Sequence, residues 1–377
     1  MSRVPTTALF LLPLLALLGT LLPAQETLRR GASNEQLIDE RLREAVNKGH
    51  VWLAARQQPD GSWSELVGYK LNNDYITLDD RPLPHVGVSA LALISFLAGG
   101  HLPDRGKYGP VVDRGIGYVL RCVQDDGQIM DNGTRMYSHA FATLFLAEVY
   151  GMVDRPDVKR ALQRAVDLIV DSQNAEGGWR YRPFARESDI SITVCQVLAL
   201  RSARNVGIHV PITTIRNAQN YVYRSAVRSN ERVNRWPGAA AYGDDGGSFR
   251  YQNRDQTRAT FPLTAAGVTT LYAAGEYDSP VIRDALDYMD RRMLSFSAEW
   301  KHHYFFYYGH YYAVQAYYIT GDPKWTKYFR AIKDILLREQ LPDGSWRCDP
   351  GPGPAFGTAV ATLILQIPFQ YLPIFQR

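Results

Sequence analysis

The sequence predicts an all-α fold, a closed ring of helix pairs, on three observations. A Gln-to-Trp turn recurs as Gln57-Gln58-Pro59-Asp60-Gly61-Ser62-Trp63, Gln173-Asn174-Ala175-Glu176-Gly177-Gly178-Trp179 and Gln340-Leu341-Pro342-Asp343-Gly344-Ser345-Trp346. Each turn separates an amphipathic helical segment from a more apolar one. Six pairs fill the chain with no polar capping repeat at either end, which favours closure over an open stack.

The 377-residue chain opens with Arg3, an apolar run over Ala8 to Leu22 broken by Pro13, and then Pro23-Ala24-Gln25. This is the layout of a secretory signal peptide over 1–25, cleaved near Ala24 or Gln25. It predicts an exported protein, periplasmic or extracellular, with a single domain over 26–377. No later segment is long and apolar enough to span a bilayer.

The pairs are expected to begin near Ile38, Val112, Val158, Ile212, Val281 and Trp325. Leu42, Val46, Val51 and Leu53 mark the apolar face of the first outer helix. Leu162, Val166, Ile169 and Val170 do so for the third. The sparsely charged stretches Val86–Ala98, Phe141–Val149, Ile192–Leu200, Leu263–Ala274 and Phe356–Ile367 form the buried partners. The fifth pair, around 281–294 and 308–319, lacks the turn. Gln124-Asp125-Asp126-Gly127-Gln128-Ile129 and Asp244-Asp245-Gly246-Gly247-Ser248-Phe249 are degenerate copies. In the full copies the Asp-Gly or Gly-Gly step turns the chain, and the Gln amide bonds helix-end backbone. The Trp and Gln residues therefore read as structural staples.

Composition excludes several classes. The net charge of +4 comes without a basic run, so no nucleic-acid partner is expected. Three cysteines, Cys122, Cys195 and Cys348, cannot make a complete disulfide framework, and their spacing is not that of a zinc site. They read as buried small hydrophobes, and no metal or cofactor is expected.

The Gln-x3-Gly-x-Trp repeat between an outer and an inner helix resembles that of the squalene cyclase and protein prenyltransferase superfamily. The resemblance spans nearly the whole mature chain and implies an α6/α6 toroid around a central cavity. The superfamily's catalytic motifs are absent. No Asp-x-Asp-Asp is present, and in Asp189-Ile190-Ser191-Ile192-Thr193 the position of the proton donor is Ser191. No Asp-x-Cys zinc motif or Cys-Gly-Glu-Gln thioester occurs. Secreted toroids that cleave glycans need a Tyr-His pair or two carboxylates across a cleft.

The resemblance places the starts of the inner helices on one mouth of the ring. Catalytic candidates there are His85, His139, Asp189, Tyr308 and His310. Ligand-binding candidates are Arg258 and Tyr304, Tyr307, Tyr311 and Tyr312, from the tyrosine-rich segment 302–318. Buried hydroxyls need partners, so this much tyrosine suits a cavity wall better than a plain core. The insertions 64–84 and 228–260, with acid pairs Asp79-Asp80 and Asp244-Asp245, are expected to cover the mouth or to be mobile. The expected function is to bind an apolar small molecule in the cavity, or a protein or glycan partner on the rim. The alternative is a divergent enzyme acting on an isoprenoid lipid or a glycan.

Overall fold

The computed structural model describes residues 34–228, 246–254 and 257–376. The leader expected at 1–25 and the pair Asp244-Asp245 lie outside them. Twelve helices follow in six pairs among the described residues. The outer helices are α1 (Glu40–Arg56), α3 (Gly109–Arg121), α5 (Pro156–Asp171), α7 (Ile212–Ser225), α9 (Pro280–Glu299) and α11 (Lys324–Glu339). Their inner partners are α2 (Val86–Ala98), α4 (Met136–Tyr150), α6 (Ile190–Asn205), α8 (Phe261–Ala273), α10 (Tyr304–Thr320) and α12 (Pro354–Gln366).

Each inner helix packs on the next, and α12 packs back on α2, so the inner ring closes. Every residue of α2 is buried, as a low-charge sequence between two layers requires. The outer helices show one buried stripe. In α1 it comprises Leu42, Val46 and Leu53. Val51, expected on that stripe, is 46% exposed because it stands two residues off the 42–46–49–53 line. The fold is the expected α6/α6 toroid. All three cysteines are buried and unpaired.

The repeated turn sets the geometry between neighbours. Gln57 Nε2 donates to Gly61 O (3.1 Å) and to Val111 O in α3 (2.8 Å). Gln173 Nε2 donates to Gly177 O (2.9 Å) and to Thr214 O in α7 (2.8 Å). Gln340 Nε2 donates to Gly344 O (3.0 Å) and to Ala45 O in α1 (2.8 Å), which joins the last repeat to the first. Each clamp thus spans its own turn and the next outer helix. Trp63, Trp179 and Trp346 are buried, and their indole N–H groups cap Leu53 O, Ile169 O and Leu336 O at 2.7–2.9 Å. A β-carbon on Gly177 (φ +91°) would stand 2.4 Å from Asn217 O of α7. Gly247 (φ +85°) meets Asp284 O of α9 in the same way, so the degenerate fourth turn keeps its backbone role with Phe249 in place of Trp.

A repeated hydroxyl supports each turn from the inner helix. Ser89, Thr193, Thr264 and Thr358 accept the backbone N–H of Trp63, Trp179, Phe249 and Trp346. His139 holds this position in the second pair, where Nδ1 accepts from Ile129 N at 3.0 Å.

Between α1 and α2 the chain makes two short ladders. β1 (Ser64–Glu65) pairs with β4 (Leu83–Pro84), and β2 (Gly68–Leu71) pairs with β3 (Asp74–Thr77) around Asn72-Asn73. The β2–β3 hairpin projects over the end of the ring where the inner helices begin.

Gln173→Ala removes both clamp bonds and is expected to cost about 1–2 kcal/mol. Gly177→Ala is expected to cost more than about 2 kcal/mol, because its φ and the Asn217 carbonyl both oppose a β-carbon. Urea and thermal unfolding of the two variants give the order; a Gly177→Ala protein as stable as wild type would contradict this account.

Candidate functional site

The inner helices begin together at His85, Arg135, Asp189, Thr260, His303 and Gly353, and their first turns ring one mouth. Below it lies a cavity of about 430 Å³. Its deep wall is aliphatic and aromatic, with Val88, Leu91, Phe141, Phe261, Phe356 and Val360. Tyr137, Tyr304, Tyr308, Tyr311 and Tyr312 line another part. Gly68, Tyr69, Lys70, Asn73 and Tyr75 of the hairpin complete the lining from above, so the 64–84 insertion covers the mouth.

The hairpin is latched across the ring. Arg258 donates to Asn73 Oδ1 (3.0 Å) and to Asn72 O (3.1 Å). His303 Nε2 bonds Asn73 O at 2.8 Å. Because its Nδ1 accepts the Phe305 N–H (3.0 Å), Nε2 carries the proton. Tyr304 OH donates to Asp74 O at 3.4 Å.

The predicted site residues separate into two groups. Tyr304, Tyr308, Tyr311, Tyr312, Arg258 and His85 all line the cavity. The four tyrosines occupy i, i+4, i+7 and i+8 of α10, one face of that helix. Tyr308 OH donates to Ser191 O (3.4 Å), while the hydroxyls of Tyr311 and Tyr312 are buried without a hydrogen-bond partner. Burial raises the pKa of all four, so each phenol stays protonated at neutral pH. His85 caps α2, with Nδ1 accepting from Val88 N at 3.3 Å, and burial lowers its pKa to about 4.

His139, His310, Tyr307 and Asp189 are not in the cavity lining. His139 is fully buried; as Nδ1 accepts from Ile129, Nε2 donates to Ala165 O (3.2 Å). His310 is held between α9 and α11 by Ser297 Oγ and Tyr328 OH, each at 2.9 Å. Tyr307 OH donates to Arg347 O. Asp189 is the cap of α6: Oδ1 accepts from Ile192 N (2.9 Å) and Ser191 Oγ (2.5 Å), and Oδ2 from Tyr251 OH (3.3 Å). Burial raises its pKa against the opposing effect of those bonds and of Arg180 and Lys70. Ser191 and Tyr181 connect this cluster to the cavity, and the Tyr181 and Tyr251 hydroxyls lie 2.5 Å apart.

The sequence reading missed Lys70 and Arg135, which also line the mouth. Lys70 Nζ sits 4.9 Å from the Phe305 ring centroid and 5.1 Å from that of Tyr251. Arg135 lies over Tyr69 at 4.8 Å. The alternation of Tyr69, Lys70 and Leu71 was the available signal, but the segment reads as polar cover. Glu299 is the one carboxylate among the described lining residues. Among the described residues no group of three His, Cys, Asp or Glu forms a metal site.

The chain is thus an α6/α6 toroid with a lidded, largely apolar central cavity. No family model matches the chain. It is 25% identical over 143 residues to a probable squalene–hopene cyclase of Sinorhizobium fredii, covering 36% of this chain and 21% of that one. It is 29% identical over 179 residues to a drimenyl diphosphate synthase of Streptomyces showdoensis, 46% of this chain and 29% of that one. The matched part thus spans less than a third of either curated relative. In structure it is similar to a type II terpene cyclase from Scytonema in complex with geranylgeranyl dihydroxybenzoate. That TM-score is 0.58 at 12% identity, over 88% of this chain and 98% of that one. An α-1,6-mannanase of a Salegentibacter species gives a TM-score of 0.56 at 9% identity, over 86% and 97%.

The buried histidines set a pH response. Burial lowers His50 and His310 from 6.5 to about 3, and His85 and His139 to about 4. Below 6.5 the unfolded chain binds protons that the folded chain refuses, so these groups make stability fall as the pH drops from 6.5 towards 4. His310→Gln should narrow the gap in melting temperature between pH 7 and pH 4.5; an unchanged gap would exclude His310 as a contributor.

Proposed function

We propose that this protein takes an apolar small molecule of isoprenoid type into its central cavity. One observation carries the proposal: the toroid keeps about 430 Å³ of lidded space instead of filling it with Leu, Phe and Trp side chains. Close packing is the default for a protein interior, and an empty apolar volume costs stability unless something fills it. Aliphatic and aromatic walls suit a branched hydrocarbon chain. The sequence similarity to two terpenoid synthases and the fold shared with a terpene cyclase point to the same ligand class.

The cavity suits a glycan less well. Sugar cleavage by two carboxylates needs a facing pair, and Glu299 alone lines this site among the described residues. The signal-peptide pattern expected over 1–25 supports action outside the cytoplasm. Among the described residues no helix is long and apolar enough to cross a membrane.

Displacement of a fluorescent apolar probe by farnesol and by a soluble mannan oligosaccharide tests the reading. Farnesol should displace the probe and the oligosaccharide should not. Val88→Phe and Val360→Phe place bulk in the wall, and each should weaken farnesol by about tenfold or more, which is about 1.4 kcal/mol. Melting temperatures confirm that the variants are folded. A folded variant with undiminished binding would place the ligand elsewhere.

A further inference from the structure

We infer that Lys70 is a nucleophilic amine that forms a reversible imine with an aldehyde-bearing apolar ligand held in the cavity. The inference rests on the cavity reading above and adds the ligand's reactive group.

The placement of Lys70 is unusual for a lysine. It lies on the lid strand β2 and lines the cavity. Its Nζ stands between the Tyr251 and Phe305 rings, 5.1 and 4.9 Å from their centroids. It is half-buried and makes no salt bridge or hydrogen bond among the described residues. Around it stand Arg258 from the loop before α8, His303 at the start of α10 and Asp189 at the start of α6. Arg258 opposes a second positive charge nearby, and Asp189 favours one without touching it.

Burial first and Arg258 second lower the Lys70 pKa from 10.5 to about 7. Desolvation and a neighbouring cation are the two devices that turn a lysine into a nucleophile at neutral pH. A larger share of the molecules then carries the free amine at neutral pH than for an ordinary lysine. The rings flank the nitrogen, and the hydrocarbon wall of the cavity is placed to take a chain whose terminal carbonyl reaches the mouth.

The reaction balances without a further reactant. The Nζ lone pair adds to the carbonyl carbon, and a proton passes from nitrogen to the carbonyl oxygen to give a carbinolamine. The C–O bond then breaks, water leaves, and the remaining N–H proton is lost to that departing oxygen as the C=N bond forms. Water reverses each step.

The test incubates the full-length mature protein with decanal and cyanoborohydride, which reduces an imine to a stable secondary amine. Intact mass and peptide mapping locate the adduct, and decanol binding is measured in parallel. The inference expects one dominant adduct at Lys70, at least about tenfold over any other lysine. Decanol should compete with it, its rate should rise with pH through about 7, and Lys70→Arg and Lys70→Met should lack it while remaining folded by near-ultraviolet circular dichroism. Adducts spread evenly over exposed lysines such as Lys48 and Lys301 overturn it. Decanol binding without an adduct overturns the imine and leaves the cavity reading standing; absence of both overturns the two together. Tight binding of decyl phosphate without a decanal adduct assigns Lys70 to an anionic head group instead.

Discussion

The clamp made by one glutamine amide governs this structure. Gln57, Gln173 and Gln340 each spend their two N–H donors on a carbonyl of their own turn and a carbonyl of the next outer helix. The bond reaches past the pair that carries it, so it fixes the angle between pairs as well as the turn within one. Glycine packed on a neighbouring backbone carbonyl repeats the constraint sterically at Gly61, Gly127, Gly177, Gly247 and Gly344. Glycine sets this constraint at five of the six junctions between pairs, and the bond from Gln340 to α1 joins the last pair to the first. The tryptophans then fill the space between turn and helix and cap carbonyls that a helix end leaves unsatisfied.

Closure has a consequence at the centre. The six inner helices are parallel and close-packed, so their free N–H ends gather at one mouth. Side chains there either cap a helix or look into the ring. His85 does both, while Asp189 spends both carboxylate oxygens on the cap and its neighbours. The hairpin then settles on this crowded end and is held by Arg258, His303 and Tyr304. A two-residue Asn72-Asn73 tip suits the role, since Asn72 adopts φ +57° and its carbonyl stays free to accept.

Much of this was legible because repeats expose their own rules. The six pairs begin within three residues of the expected starts, as a change in apolar period marks the pairs and a Gln-to-Trp turn divides three of them. The cavity face of α10 was legible too: Tyr304, Tyr308, Tyr311 and Tyr312 share a helical face. Tyr307 falls on another face and is bound to the sixth turn through Arg347. His139 lies outside the lining for a reason the repeat contains, since it stands at the position of Ser89, Thr193 and Thr264 and does their work. Lys70 and Arg135 were hidden differently. A lysine on a short polar strand carries no mark of burial, because the rings that enclose it come from segments about 180 and 235 residues further along the chain.

The same geometry bears on what chemistry the toroid can perform. Protonating an alkene needs an acid whose proton points into the cavity, held undissociated by its surroundings. Here the carboxyl at the equivalent stretch, Asp189, is fully buried outside the lining, and Ser191 occupies the place that looks inward. Ser191 Oγ donates its only proton to Asp189, so the group facing the ligand offers lone pairs and no acidity. The tyrosines around it are phenols held protonated by burial, which are weak acids and good hydrogen-bond donors. Lys70, which lines the cavity from above, is a base whose pKa burial and Arg258 lower to about 7, in a lining where Glu299 is the one carboxylate among the described residues.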